Sequence, residues 1–325
     1  MNSCGGKSNH IFLEHVLKLN VARAWCIESY LCKLAELAYL LMRSLWLFVA
    51  GFLFSCMGTL VKLGAADFSS IELVFYRSLF GLLVIYALVR IQRLPLLTVH
   101  WKSHCWRGFS GLGALLMFFF CIVQLPLATA VTLNYTSPLF LALFTTVILK
   151  EHFHWLLVVA VVLGFVGVIL LLRPILQEDQ WNAGLIGLFS GFLSGVAYLN
   201  VKKLGSLGES DWQVVFYFSL ICTVVTGGWM LLDTFHPITL DNVLLLLLLG
   251  IGITATLAQL AMTRAYRTGK TLVVGALAYS TVIFSSLWGI LIWNDVLPPS
   301  AWLGVGLIVA SGLLSLRAAP APVRE

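Results

Sequence analysis

Residues 133–138 read Leu133-Asn134-Tyr135-Thr136-Ser137-Pro138, and 144 positions after the first of them the chain reads Leu277-Ala278-Tyr279-Ser280. Two more residues hold the same register: Glu151 is answered by Asp295, and Arg173 by Arg317. A second echo sets Val74-Phe75-Tyr76-Arg77-Ser78-Leu79 against Val215-Phe216-Tyr217-Phe218-Ser219-Leu220, at an offset of 141. Apolar letters coincide cheaply in a chain that is 60% hydrophobic. A tyrosine, an acid and an arginine kept in register over two helices do not, so the chain reads as an internal duplication.

Each copy holds five stretches apolar and long enough to cross a bilayer, which takes about 20 residues as a helix. The ten fall at roughly 44–62, 70–90, 107–124, 127–149, 155–173, 184–201, 212–232, 242–263, 271–293 and 300–317. Only Gln124-Leu125-Pro126 divides the third from the fourth. Five is an odd number, so the second copy enters the membrane from the face opposite to the first. That is the inverted repeat of secondary transporters, in which solute sits near the midplane and the halves rock around it. The expected fold is an all-α membrane protein of ten transmembrane helices in two inverted five-helix repeats. Its divisions are an extension over 1–43, a first repeat over 44–173, a second over 184–317 and a tail over 318–325.

Composition excludes the competing classes. Only 10% of residues are charged and the mean hydropathy is +0.97, whereas soluble domains carry about 25% charged residues. A cytosolic enzyme, a disordered chain and a secreted disulfide scaffold are ruled out. An outer-membrane barrel is disfavoured, because its strands alternate apolar and polar residues. The seven cysteines (Cys4, Cys26, Cys32, Cys56, Cys105, Cys121, Cys222) form no C-x-x-C and no Cys/His cluster, so neither a disulfide framework nor a metal site is indicated.

The net charge of +6 reports topology. With both termini cytoplasmic, inner segments hold 17 of the 20 basic residues, Arg107 among them, and outer segments hold only Lys62 and Arg173. Arg77 alone lies inside a span. A wrong span count would scramble this alternation, so the positive-inside rule sets both ends in the cytoplasm. No nucleic-acid partner is implied.

The first copy runs Pro138…Lys150-Glu151, then Trp155…Gly164-Phe165-Val166-Gly167; the second runs Tyr279…Asp295…Trp302-Leu303-Gly304…Ser311-Gly312. With ten spans and a five-plus-five repeat over about residues 44–317, this pattern resembles the EamA branch of the drug/metabolite transporter superfamily. The resemblance implies carriage of small metabolites, often amino acids or related compounds, commonly exported from bacteria. Small multidrug pumps of the superfamily exchange protons for cationic drugs through a glutamate in their first helix. Span 1 here contains no Asp or Glu, so that mechanism is not supported. Val282 stands where the first copy has Pro138, so no proline marks a matching kink in the second copy.

Polar groups inside hydrocarbon are costly and are candidates for function. Arg77 lies about seven residues into span 2, roughly 10 Å from its outer end at 1.5 Å per residue. A guanidinium there suits a substrate carboxylate or phosphate. The structural alternative pairs it with Glu72, although five residues separate them. Asn134 and Tyr135 precede Pro138, which removes the donor for the Asn134 carbonyl and leaves an acceptor for solute or water. Helix-to-helix bonding is the alternative there. Tyr279 is the symmetric partner of Tyr135. Gln259 in span 8 has no evident local partner, and Trp288 in span 9 suits stacking on a ring or a cation. The candidate substrate-binding set is therefore Arg77, Asn134, Tyr135, Gln259, Tyr279 and Trp288.

Tyr198 and Asn200 read as interfacial anchors, and Trp229 as part of the outer aromatic belt. Gly184, Gly187, Gly191 and Gly195 read as a packing stripe. The seven histidines fall outside the span cores as drawn, and no catalytic constellation emerges. Residues 1–43 carry too many charges to span and suit a cytoplasmic or surface-lying helix; Met42-Arg43 is an alternative start of translation. The sequence therefore predicts a multi-pass carrier of the bacterial inner membrane, not an enzyme and without a cofactor. It would work by alternating access on a small metabolite, with export of an amino acid or related compound favoured. Uptake of a nucleotide- or cofactor-like anion is the alternative, and a membrane-embedded enzyme or a receptor-like protein the non-transport one. Its partners are the solute and the lipid bilayer; no coupling ion is named, and a homodimer is compatible.

Overall fold

In a computed structural model of the chain the described residues are 46–125, 127–147, 155–172, 181–232, 242–269, 271–294 and 299–318. The extension over 1–43 with its alternative start, the acidic pair Glu151 and Asp295, and Arg173 lie outside them. Helices α1 (Trp46–Gly64), α2 (Ser70–Gln92), α3 (Trp101–Gln124), α4 (Leu127–Asn134), α5 (Ser137–Val147) and α6 (Trp155–Leu172) build the first half. Helices α7 (Trp181–Ser206), α8 (Asp211–Leu232), α9 (Asn242–Thr268), α10 (Thr271–Ala278), α11 (Ser280–Trp293) and α12 (Pro299–Ala318) build the second. Among the described residues no strand occurs. Among the described residues seven apolar segments, 273–293 across α10 and α11 included, are long enough to cross a membrane, and shorter ones cover Ala130–Thr145, Val158–Leu170 and Pro299–Leu314. Together they are the ten expected spans, and the protein is a multi-pass membrane protein.

Local chemistry sets the helix ends. Ser69 and Glu72 form a reciprocal capping box at the start of α2: the Glu72 N–H donates to Ser69 Oγ at 3.3 Å, and the Ser69 N–H donates to Glu72 Oε2 at 2.7 Å. This carboxylate is committed to the cap and is not the partner of Arg77. Arg93 closes α2 at φ 53° in the left-handed region. Helix α3 begins at Trp101 instead of near 107, so His104 and Arg107 lie within it, buried at 2% exposure each. Their expected places, outside the span core and in a cytoplasmic segment, are corrected accordingly. A polar residue near an apolar run does not end a helix when neighbouring helices cover it.

Equivalent helices of the two halves run antiparallel against each other, as inversion demands. The Ser311 hydroxyl of α12 donates to the Ala160 carbonyl of α6 at 2.6 Å, and a β-carbon on Gly167 of α6 would stand 2.8 Å from the Gly304 carbonyl of α12. Residues 160 and 304 are 144 apart, as are 167 and 311. The two contacts are therefore images of one another across a two-fold axis. Helices α2 and α8 also run antiparallel: Gly81 abuts Ser219 at mid-helix, while Gly227, further along α8, abuts Phe75, nearer the start of α2. Small residues let these backbones approach where no hydrophobic drive separates protein from lipid.

Both spans that carry the repeated tyrosine are broken there. Between α4 and α5, Pro138 has no N–H to give to the Asn134 carbonyl. A tighter turn takes over: the Thr136 N–H donates to the Leu133 carbonyl at 3.2 Å and its hydroxyl to the same oxygen at 2.7 Å. The second span breaks at Tyr279 without a proline, and the Val282 N–H donates to the Tyr279 carbonyl at 3.0 Å. The two breaks thus fall at matching repeat positions, Tyr135 and Tyr279, although only one follows from a proline. Each break is met by a glycine from the first helix of the other half. Gly191 of α7 has no room for a side chain beside Thr136, and a β-carbon on Gly51 of α1 would stand 2.9 Å from Thr281 Oγ1.

At one end of the helices the halves are tied by polar groups. His104 Nε2 of α3 lies 3.2 Å from Glu209 Oε2, in the turn between α7 and α8, and Thr98 donates to the other oxygen of that carboxylate. Tyr217 donates to the Leu96 carbonyl at 3.0 Å. Within the second half, Asp211 pairs with Arg267 of α9 at 2.9 Å.

Candidate functional site

A cavity, part of it open to the outside, lies between the halves. The first half supplies Ser55 from α1, Arg77 from α2, Arg107 and Phe118 from α3, and Asn134 and Tyr135 from the α4–α5 break. The second supplies Ser194 and Tyr198 from α7, Phe218 from α8, Gln259 from α9, and Thr281 and Ser285 from α11. Broken helices presenting polar groups at a repeat interface are how bilayer-spanning carriers make a solute site without exposing backbone to lipid.

Charge distinguishes this cavity. Arg77 and Arg107 are buried at 5% and 2% exposure, and no Asp or Glu is among the described residues that line it. Arg77 Nε, and Nε and Nη1 of Arg107, have no hydrogen-bond partner among the described residues. Both guanidinium groups approach the ring of Phe218, at 6.0 Å for Arg77 and 4.2 Å for Arg107 from Cζ to the ring centroid. Phe218 is the repeat counterpart of Arg77, so one half contributes a charge where the other contributes an aromatic face. Gly111, one turn beyond Arg107, makes space for it; a β-carbon there would collide with Arg107 Nη1.

Four of the six residues singled out from sequence line the cavity: Arg77, Asn134, Tyr135 and Gln259. Asn134 has a structural bond as well, its amide donating to Ser190 Oγ at 2.9 Å, while Ser190 donates to the Ala114 carbonyl. Tyr279 does not line the cavity. It stands fully buried behind Tyr135, ring centroids 6.3 Å apart, and its hydroxyl has no partner among the described residues. Trp288 is likewise one layer back, donating its indole N–H to Ser55 Oγ at 3.1 Å and leaning on Phe52. It positions a wall residue instead of stacking on the contents of the cavity.

Arg107, Tyr198, Phe118 and Phe218 escaped the reading from sequence. By position in the sequence Arg107 reads as a cytoplasmic charge, and its burial depends on the packing of α7 and α8 against α3. Tyr198 reads as an interfacial anchor in the sequence; in the structure it lines the cavity and stacks on Tyr266, with centroids 4.9 Å apart. The signal that would have found Phe218 was present, since it occupies the Arg77 position of the second repeat.

The EamA-like transporter family matches residues 41–173 and 181–317, one match over each half. The chain belongs to that family. Among curated relatives, this transporter is 31% identical over 279 residues to the pseudopaline exporter CntI of Pseudomonas aeruginosa, covering 82% of this chain and 93% of that protein. It is 28% identical to a riboflavin transporter of Vibrio cholerae, covering 82% and 90%. With human solute carrier family 35 member G1 the identity is 24%, covering 82% and 76%. A solved crystal structure shares the fold at a TM-score of 0.74 and 17% identity, covering 85% of this transporter and 98% of that chain.

Proposed function

We propose that this transporter moves a small carboxylate-bearing metabolite, such as an amino acid or a related compound, by alternating access across a bacterial inner membrane. The observation that carries the reading is a buried guanidinium, Arg77, facing a central cavity whose described wall holds no acid. A charge buried without a partner is expensive, and a substrate carboxylate that pairs with it recovers that cost during transport. Asn134, Tyr135 and Gln259 add neutral polar contacts, and Phe118 and Phe218 supply apolar surface. The similarity to an exporter supports export as the direction. The distribution of basic residues supports cytoplasmic ends for a chain divided into an extension over 1–43, repeats over 44–173 and 184–317, and a tail over 318–325. The activity is carriage, not catalysis.

A second reading, uptake of a nucleotide- or cofactor-like anion, draws on the aromatic walls, which suit a planar ring, and on the similarity to riboflavin transporters, whose named solute has such a ring; the anionic charge rests on the two arginines. Purified protein in liposomes tests both. Counterflow is measured over a panel of labelled amino acids, organic acids, riboflavin and flavin mononucleotide. Saturable exchange of an acid that is lost in Arg77→Gln supports the proposal. Exchange confined to solutes that carry no anionic group overturns it.

A further inference from the structure

Arg107 is a second, independent cationic group in the same cavity, and nothing in the transport reading needs two. The two arginines come from opposite ends of the bundle. At 1.5 Å per residue, Arg77 is about 10 Å along α2 from its first residue, and Arg107 about 9 Å along α3 from its own; consecutive spans run in opposite directions. Their side chains nevertheless converge on one ring. With Cζ of Arg77 6.0 Å and Cζ of Arg107 4.2 Å from the Phe218 centroid, the two charges are at most about 10 Å apart. Neither is in an ion pair among the described residues, where the acids Glu209 and Asp211 are taken by His104, Arg264 and Arg267.

We infer that Arg77, Arg107 and Phe218 form a two-point site selective for substrates with two anionic groups on a short skeleton. A single carboxylate cancels one of two buried positive charges and leaves the other without compensation. A dianion cancels both, and each guanidinium offers a planar fork that a carboxylate meets with two oxygens. Because the forks reach the ring from different depths, two separate carboxylates fit them better than one shared group. Succinate or glutarate has the length to touch both, with its methylene chain on the face of Phe218.

The repeat makes the site one-sided. The counterpart of Arg107 is Ile251 and that of Arg77 is Phe218, so both charges belong to the first half. The second half meets the substrate with a ring and with neutral groups. A bound dianion is thus anchored to the first half while the second moves over it.

This inference rests on the cavity being the transport site, and the experiment separates the two. Full-length protein in nanodiscs is titrated with succinate, glutarate and adipate and with their monoamides at constant ionic strength, and affinity is read from the thermal shift. Both carboxylates of each diacid are ionised at pH 7.5, so diacid and monoamide differ chiefly by one charge. The wild type is expected to bind at least one diacid about tenfold more tightly than its monoamide. In Arg107→Gln that preference falls below about twofold while monoamide affinity is retained. Arg107→Met, which keeps the volume, serves if the glutamine variant does not fold. Equal binding of diacids and monoamides by the wild type overturns the two-point site and leaves the carboxylate carrier standing. Absence of binding by every acid overturns both.

Discussion

Replacing Arg77 by methionine separates a substrate anchor from a structural ion, because the two roles predict opposite signs. If Arg77 holds a substrate carboxylate, the variant loses a charge-assisted hydrogen-bonded contact of about 1.5–3 kcal/mol. At 1.4 kcal/mol per factor of ten, apparent affinity in proteoliposome counterflow falls by about 10- to 150-fold. Stability moves the other way or not at all. Arg77 is 5% exposed, its Nε has no partner among the described residues, and Glu72 is engaged at the cap of α2. Replacing a buried charge that has no ion-pair partner among the described residues by an apolar chain of similar length is neutral or stabilising. The cation–π contribution that is lost is small, since Cζ lies 6.0 Å from Phe218 and such contacts are worth about 0.5–2 kcal/mol at best; a methionine sulfur near the ring returns part of it. Thermal unfolding in nanodiscs and counterflow on one preparation give both readouts. Unchanged affinity together with a lowered unfolding temperature would refute the reasoning and make Arg77 a structural residue. Arg77→Lys keeps the charge without the fork and is expected to fall between wild type and methionine.

Other variants probe the layers around the site. Gly111→Val drives a side chain into the space held by the Arg107 guanidinium; substrate affinity in counterflow should drop with no change in net charge, and an unchanged affinity would remove Arg107 from the site. Tyr279→Phe deletes a buried hydroxyl that has no partner among the described residues, so transport kinetics should be unaltered and thermal stability equal or higher by up to about 1 kcal/mol; a large loss of transport would return Tyr279 to the cavity wall. Ser311→Leu forces a larger side chain against Ala160 where the hydroxyl now donates at 2.6 Å. It should cost about 1–3 kcal/mol in overpacking, read as a lowered unfolding temperature. Ser311→Ala should cost about 1 kcal/mol.

Part of this architecture was legible because the bilayer itself enforces it. Spans need long apolar runs, and ten were visible; the tyrosine register at 135 and 279 exposed the duplication, and an odd number of spans per copy made it inverted. The antiparallel contacts of Gly167 with Gly304 and of Ala160 with Ser311 are that inversion realised. Local rules failed where neighbouring helices override them. Proline chemistry accounts for the break after Asn134, yet the span with Val282 breaks at the matching place, where Gly51 lies so close that a β-carbon there would meet Ser280 and Thr281.

The site was half legible for a related reason. Arg77, Asn134, Tyr135 and Gln259 are polar deep in apolar runs, and hydrocarbon leaves such groups few places to go except a shared interior. Whether a given polar residue then faces the cavity or the layer behind it depends on which helix covers it. Tyr135 and Tyr279 share a register and part company here, one on the wall and one behind it. Arg107 and Tyr198 sit near span ends and pass for interfacial residues until α3, α7 and α8 are packed together. The sequence by itself determined the spans, the duplication and the inversion, since lipid permits only fully bonded helices to cross it. Only the tertiary structure decided that a second arginine joins the first around Phe218, because residues distant in sequence meet through helix packing that no local pattern encodes.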